Sequence, residues 1–218
     1  MAAKKKKSDE AMKAAVLAAA LEHAAFDGFT DKTLAAAGES AGADKATLSR
    51  LFPKGPSSLV EAISDSMDDT MEAALTGKLA GLKIRERIRD VVLARIDALR
   101  PHKEAARRAA AFLTLPPHAA LGAALLYRTV DRMWRLAGDS STDFNFYTKR
   151  AILAGVYSST LMRWFTDDAD ETATRAFLDA RIANVMQFEK FKAQVKERAK
   201  GLPSLSDILG AFNRSSAR

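Results

Sequence analysis

The chain has 218 residues, of which 48% are hydrophobic and 28% charged, so it is expected to be globular with a sizeable core and not disordered. It contains no cysteine, which excludes disulfide bridges, thiolate metal sites and a cysteine nucleophile. The formal net charge of +7 allows nucleic acid or anionic lipid as a partner without deciding between them.

The sequence carries no targeting segment or catalytic motif that we can recognise. The first ten residues are basic but lack the apolar stretch of a secretory signal, and no apolar run reaches the about 18 residues of a membrane span. Three scattered histidines offer little for metal binding, and there is no phosphate-binding loop, dinucleotide motif or nucleophile elbow. We therefore predict a bacterial cytoplasmic protein that is not an enzyme and has no metal or cofactor.

Helical periodicity runs through the whole chain, and its first part indicates a small module at residues 9–76. Its predicted elements are a disordered basic tail at 1–8 and helices at about 9–27, 31–40, 44–52 and 57–75. Short helices separated by the turn Ala41-Gly42-Ala43 are what a helix-turn-helix requires. The segment TLAAAGESAGADKATLSRLF at 33–52 resembles the helix-turn-helix of TetR-type repressors.

This resemblance concerns the fold and does not by itself predict DNA binding. A recognition helix at 44–51 would offer Lys45 and Arg50 to phosphates, opposed by Asp44. Residues 1–60 contain nine basic and seven acidic side chains, so the module nets only +2. Because phosphate contacts supply most of the affinity for DNA, the sequence argues against nucleic acid as a partner.

A larger helical body is predicted at 77–200, after the glycine-containing linker 77–81. Its predicted helices cover about 83–99, 101–115, 119–137, 144–165 and 171–200. The first of these has one apolar face. Its other face, with Arg85, Arg87, Arg89 and Arg95, is predicted to be solvated, with a phosphate-binding patch as the alternative.

The last three helices of the body are rich in large apolar side chains, and 11 of the 16 aromatic residues fall within 127–191. The candidates for contact with a ligand are Leu125, Met133, Trp134, Tyr157, Leu161, Met162, Phe165 and Met186. Such residues fit either a filled core with a dimer interface or a cavity for an apolar ligand. On composition alone the filled core is favoured.

Two segments do not fit a simple core. After a helix-ending Ala-Gly-Asp, the neighbours Phe146 and Tyr147 cannot both face one helical stripe, so one of them is predicted to point outward. Beyond Gly201, a second segment at 201–218 is predicted to form an amphipathic helix next to a basic run. Its apolar stripe consists of Leu202, Leu205, Ile208, Leu209 and Phe212. It could pack on its own domain or in a dimer, but the basic flank favours a membrane surface.

A second resemblance is more specific. The motifs concerned are Trp134 with Ala137-Gly138-Asp139, Ser141 to Asn145, Tyr147 to Ala151, Leu51 to Pro56, Leu59 to Glu61, and Phe177 to Ile182. In this order, over roughly residues 15–213, the chain resembles the ninth Coq protein family, the lipid-binding accessory proteins of ubiquinone biosynthesis.

The resemblance implies an all-α, TetR-like homodimer with a helix-turn-helix module, a larger body and a C-terminal amphipathic helix. Its ligand would be an isoprenoid quinone precursor or a phospholipid, which it presents to the demethoxyubiquinone hydroxylase on the inner face of the bacterial inner membrane. The hydroxylase would bind at Asp143, Phe146, Tyr147 and Arg150, with Phe146 standing where a tryptophan is typical. The alternative is a TetR-type, ligand-responsive transcriptional regulator.

Overall fold

The computed structural model describes residues 2–140, 144–167 and 170–200, without the side chains of 2–7, 144–145 and 188–200. These residues form helices and short turns, with no strand among them, which confirms the predicted all-α fold. The α-helices are α1 (Ala2–Asp27), α2 (Asp31–Ala41), α3 (Lys45–Leu51), α4 (Pro56–Leu75), α5 (Ile84–Leu99), α6 (Lys103–Thr114), α7 (Ala119–Leu136), α8 (Phe144–Phe165) and α9 (Thr172–Lys200). Two 3₁₀ turns, Arg100–His102 and Pro116–His118, flank α6.

The first helix is longer than the sequence predicted. It begins at Ala2, whereas a helix start near Asp9 and a disordered tail at 1–8 were expected. The tail consists mostly of alanine and lysine, which are good helix formers, so nothing in its composition ends the helix before Asp9.

The helix-turn-helix is built from the local signals that the sequence shows. Gly42 ends α2 in the left-handed region with φ 70°, which a glycine adopts without strain. Asp44 starts α3 by accepting a hydrogen bond from the Thr47 N–H at 2.7 Å. A Cβ added to Gly38 would lie only 2.4 Å from Leu48 Cδ1, so this glycine lets α2 and α3 approach closely.

One continuous apolar core joins the module to the body. Its largest fully buried side chains are Val16, Phe52, Leu59, Met71, Val91, Val92, Ile96, Val130, Met133, Leu153, Trp164 and Leu178. Leu79, in the predicted linker, is buried in the same cluster and fixes the connection between α4 and α5. The helices of the predicted module and of the predicted body therefore pack around one shared core.

Among the described residues, no single helix combines the length and the apolar character needed to cross a bilayer. The segments 84–114 and 116–136 are long and apolar enough only when they are taken together, and the chain bends by 93° between them.

Glu171 connects the turn before α9 to the end of α5. Its carboxylate accepts hydrogen bonds from Trp164 Nε1 at 2.7 Å and from Arg100 Nη2 at 2.6 Å. The Arg100 guanidinium lowers the pKa of Glu171 below its ordinary value, and the bond from Trp164 adds to this, although burial opposes both. Because the pKa of Glu171 is lower in the folded protein, its charged carboxylate stabilises the folded state.

We expect Glu171→Gln to lower the free energy of unfolding by about 1–2 kcal/mol at neutral pH, because Arg100 is half exposed and solvent screens part of the ion pair. The charged carboxylate makes its full contribution to the free energy of unfolding above the unfolded-state pKa. This contribution is lost as the pH falls through the lower folded-state pKa. The difference between the two proteins should therefore shrink below about pH 4.5.

Urea unfolding at several pH values measures this difference. Glu104→Gln is a matched control, because Glu104 makes only exposed ion pairs, with Arg107 and Arg108. A loss of stability in Glu171→Gln that stays constant from pH 7 to pH 3 would contradict the assignment.

Candidate functional site

An apolar cavity of about 150 Å³ lies between α1, α4, α5, α6, α7 and α8, and we call it the central cavity. Three of the predicted ligand-binding residues line it, Leu125, Tyr157 and Leu161. An apolar cavity of about this volume is large enough for a benzene ring. The structure thus contains an apolar cavity, which the composition alone could neither predict nor exclude.

Small side chains on α6 create the space on one side of the central cavity. Ala105, Ala106, Ala109 and Ala110 all line it. The latter three are only partly buried, so the cavity comes close to the surface at this helix. The sequence showed an alanine-rich helix, but nothing in it indicated that the alanines face a cavity instead of a neighbouring helix.

Arg95 and Thr129, which also line the central cavity, form a buried polar cluster with Asp68, and we call these three residues the polar cluster. Arg95 Nε donates to Asp68 Oδ1 at 2.6 Å, and the Thr129 hydroxyl donates to Asp68 Oδ2 at 2.9 Å. Arg95 Nη2 is 3.4 Å from the Ser64 carbonyl oxygen. Arg95, Ser64, Thr129 and His102 line the central cavity, so this largely apolar space has polar groups at its wall.

The prediction that Arg95 lies on a solvated face is wrong, since the residue is only 4% exposed. A signal for this was present in the sequence. Arg95 follows Val91 by four positions and Val92 by three, which places it on the same helical stripe as these buried residues. An arginine inside an apolar stripe needs a buried partner, and here that partner is Asp68 on α4.

Burial also acts on the carboxylate and on the neighbouring phenol. It raises the pKa of Asp68 above its ordinary value, with Arg95 and Thr129 acting in the opposite direction. It likewise raises the pKa of Tyr157, so this side chain remains a neutral phenol at physiological pH. Tyr157 therefore contributes a neutral hydroxyl to the wall of the central cavity.

A second cavity of about 90 Å³ lies between α5, α7, α8 and α9. It is lined by two predicted ligand-binding residues, Trp134 and Met186, together with apolar side chains such as Ile152 and Ile182. Met133 and Phe165 are buried in the core and line neither of the two cavities, and Met162 is half exposed. The eight residues that the sequence grouped together therefore lie in four different environments.

The start of α8 presents the predicted aromatic pair. Tyr147 is 65% exposed, whereas Phe146 is half buried, so the expectation that one ring points outward is confirmed. The two rings contact edge to face with centroids 5.1 Å apart. We call this exposed region at Phe146 and Tyr147 the α8 aromatic surface.

Arg150 lies beneath this surface and not on it. It is 3% exposed, and its Nε donates to Asp131 at 2.7 Å while Nη1 donates to Asp139 at 3.2 Å. The guanidinium carbon is 3.3 Å from the ring centroid of Phe146. Arg150 was predicted to be an exposed partner contact, and the structure corrects this. The residue is buried, and its guanidinium packs against the ring of Phe146.

Other predicted site residues lie outside the described residues. These are Asp143 of the aromatic segment and the whole predicted membrane stripe, Leu202, Leu205, Ile208, Leu209 and Phe212. Among the side chains that are described, no group of histidine, aspartate or glutamate is arranged to hold a metal ion.

This architecture, a helix-turn-helix module joined to a larger helical body, belongs to the TetR-like class of folds. The crystal structure of a TetR transcriptional regulator from Nitrosomonas europaea matches it with a TM-score of 0.62, covering 79% of this chain and 96% of that one. At 21% sequence identity this likeness shows the fold alone.

Within that class, the comparisons with known sequences show the family. The COQ9 family profile matches residues 119–189. The protein named ubiquinone biosynthesis protein COQ9, mitochondrial, is 32% identical in Rattus norvegicus, over 94% of this chain and 67% of the relative. The human protein of that name is also 32% identical, over 94% of this chain and 66% of the relative. The chain belongs to the COQ9 family and spans about two thirds of the length of these relatives.

Proposed function

We propose that the protein is a non-catalytic accessory protein of ubiquinone biosynthesis that binds an isoprenoid quinone precursor. Two relatives described above are named as ubiquinone biosynthesis proteins, which supports the pathway. The observation that carries the proposal of a lipid ligand is the central cavity, whose lining is mostly apolar. A cavity of about 150 Å³ accepts the ring or a short part of the tail, and the rest of such a lipid extends outward.

We propose further that the protein acts on the inner face of the bacterial inner membrane and presents its ligand there to the demethoxyubiquinone hydroxylase. The predicted amphipathic helix at 201–218 supplies the membrane contact, and the α8 aromatic surface supplies the contact with the enzyme. Exposed aromatic side chains such as Tyr147 are typical anchors of protein interfaces.

Mass spectrometry tests the ligand. The intact protein is measured under native conditions, and lipid extracted from the same preparation is identified. We expect a co-purified isoprenoid quinone or phenol. Preparations that consistently lack any lipid, and bind none when it is supplied, would contradict the proposal.

The hydroxylase contact is tested at Tyr147. Because this side chain is 65% exposed, Tyr147→Ala should leave the melting temperature unchanged and weaken the complex by at least about tenfold, as expected of an aromatic anchor. Tyr127→Ala is a matched control, since Tyr127 is also exposed, at 45%, but lies on α7 outside the aromatic surface. Affinity is measured by biolayer interferometry with the hydroxylase, and equal effects of both variants would contradict this surface.

The membrane contact is tested by truncation. Removing residues 202–218 should abolish binding to liposomes that contain anionic lipid, because the apolar stripe and its basic flank act together. The far-UV circular dichroism and melting of the remaining chain should show a folded protein. Undiminished liposome binding by the truncated protein would reject this role.

A ligand-responsive transcriptional regulator is the second candidate, because the fold is that of the TetR class. In α3, however, the Arg50 guanidinium is held by the Asp9 carboxylate, with Nη2 at 3.0 Å from Oδ1. A recognition helix whose arginine is paired within the chain has one fewer cation for DNA phosphates. Binding of a genomic DNA fragment at nanomolar affinity in physiological salt would favour the regulator.

A further inference from the structure

The walls of the central cavity are held together unequally. Residues of six helices line it, so a ring-sized molecule needs one of these helices to give way on its path inward. Ion pairs join α4 to two of the other walls, Arg95 of α5 with Asp68 at 2.6 Å and Arg128 of α7 with Glu61 at 3.0 Å. We therefore looked for the wall whose attachment is the weakest, and it is α6.

The first half of α6 is attached to the end of α8 by two cations, Lys103 and Arg107, which we call the α6 latch. Lys103 Nζ donates to the carbonyl oxygen of Asp167 at 2.9 Å, and Arg107 Nη2 donates to the carbonyl oxygen of Phe165, the last residue of α8. The last carbonyl groups of a helix have no partner within it and attract cations. Because the Arg107 side chain is half exposed, solvent competes for its bond, and the latch is easily broken.

The second half of α6 is attached by packing. The ring of Phe112 stacks on His118, with centroids 3.9 Å apart, and lies 6.3 Å from the ring of Phe29. A Cβ added to Gly122 would lie 3.0 Å from the carbonyl oxygen of Leu113, so α6 and α7 approach closely at this end. These contacts are independent of the α6 latch, and they make the Phe112 end of α6 a pivot.

The two ends of α6 are connected by turns suited to such a movement. Pro101 lies in the 3₁₀ turn before α6, and Pro116 and Pro117 lie in the 3₁₀ turn after it. Short 3₁₀ segments are common connectors between helices, and a proline has no N–H to bond them further. The alanines that line the central cavity, from Ala105 to Ala110, lie between the latch and the pivot or directly beside the latch. Outward movement of the latched end therefore opens this wall.

We propose that α6 is a lid of the central cavity, which pivots at Phe112 and opens when Lys103 and Arg107 leave the end of α8. This inference goes beyond the proposed function, since it gives the route into the cavity and does not depend on the identity of the natural ligand. The α6 latch closes the empty and the filled cavity by the same bonds. Its removal should therefore raise the rates of entry and exit by the same factor and leave the affinity unchanged.

The experiment uses fluorobenzene as the probe, because its single ring fits a cavity of about 150 Å³. Fluorine exchange spectroscopy on the full-length protein gives kon and koff, and the bound signal of the central cavity is the one that Ala110→Phe removes. In the latch variant, Lys103→Met with Arg107→Met, we expect kon and koff each to rise about tenfold, as two cations at a helix end provide. The Kd should stay within about twofold of the wild-type value.

Arg108→Met is the matched control. Arg108 is the next residue of α6 and is 48% exposed, against 50% for Arg107, but its ion pair at 3.3 Å is with Glu104 of the same helix. This variant should keep the wild-type kon and koff. Hydrogen exchange gives a second measurement, in which the amides of α6 should exchange about tenfold faster in the latch variant while those of α4 are unchanged.

Several outcomes would overturn the lid. Wild-type kon and koff in a folded latch variant would do so, and so would an equal acceleration by Arg108→Met. Hydrogen exchange that became faster in α4 and α6 alike would show a general loss of stability instead of an opening at α6. If fluorobenzene bound neither the wild type nor the latch variant, the central cavity would not be reached through α6. The proposed function is decided separately, by the lipid that co-purifies.

Discussion

Arg150→Met should lower the free energy of unfolding by about 3 kcal/mol, although the residue belongs to the segment that resembles a partner-binding motif. Its guanidinium is 3% exposed and neutralises Asp131 and Asp139, of which the latter is itself buried. Removing one partner from a buried ion pair typically costs about 3–5 kcal/mol, because the remaining charge stays uncompensated. We expect the lower end of this range, since Lys149 also contacts Asp139, at 2.7 Å.

Arg135→Met is the matched control for this prediction. Arg135 forms an ion pair with the same Asp131 at 2.7 Å, but its side chain is 72% exposed, so its loss should cost at most about 1 kcal/mol. Denaturant unfolding followed by circular dichroism gives both values. If Arg150→Met were as stable as the wild type and only lost affinity for the hydroxylase, Arg150 would be a surface contact and the burial described above would be wrong.

Ala110→Phe should abolish binding of the lipid while the protein remains folded. Ala110 lies on α6 at the wall of the central cavity, where a phenyl ring occupies about the volume that the cavity offers to one ring. Because the ring fills existing space and buries apolar surface, we expect a melting temperature equal to or above that of the wild type. The affinity for a prenylated ligand should fall by at least about 100-fold, since the ring of the ligand and the new side chain exclude each other.

Ala111→Phe controls for the substitution itself. Ala111 is the next residue of α6, but it is exposed and does not line the central cavity. The affinity of the Ala111→Phe protein for the ligand should equal that of the wild type. Retained binding in a folded Ala110→Phe protein would place the ligand elsewhere, and the second cavity at Trp134 and Met186 would be the next site to test by the same method.

The helices could be predicted because their signals are local. Gly42 needs the left-handed conformation that it adopts, and Asp44 caps the helix that follows it. The predicted and observed limits of the helix from Phe144 to Phe165 are the same. The start of α1 was predicted less well, because alanine and lysine continue a helix as readily as they precede one.

The roles of Arg95 and Arg150 could not be predicted as easily, because their partners are distant in the sequence or lie across a turn. Asp68 is 27 positions before Arg95 on another helix, and Asp131 precedes Arg150 by 19. A charged residue in a sequence predicts exposure unless its partner is known, since burial without one is unfavourable. The apolar stripe around Arg95 indicated burial, but it did not indicate the partner.

The sequence by itself determined the all-helical architecture, the helix-turn-helix, the family resemblance and the outward direction of one ring at the start of α8. These features follow from periodicity, caps and motifs, in which each residue acts through its near neighbours. Only the tertiary structure decided that the alanines of α6 line a cavity, that Arg95 lies at its wall, and that Arg150 is buried. Whether apolar side chains meet or leave a space depends on the distances between helices, and no pattern within a single helix specifies those distances.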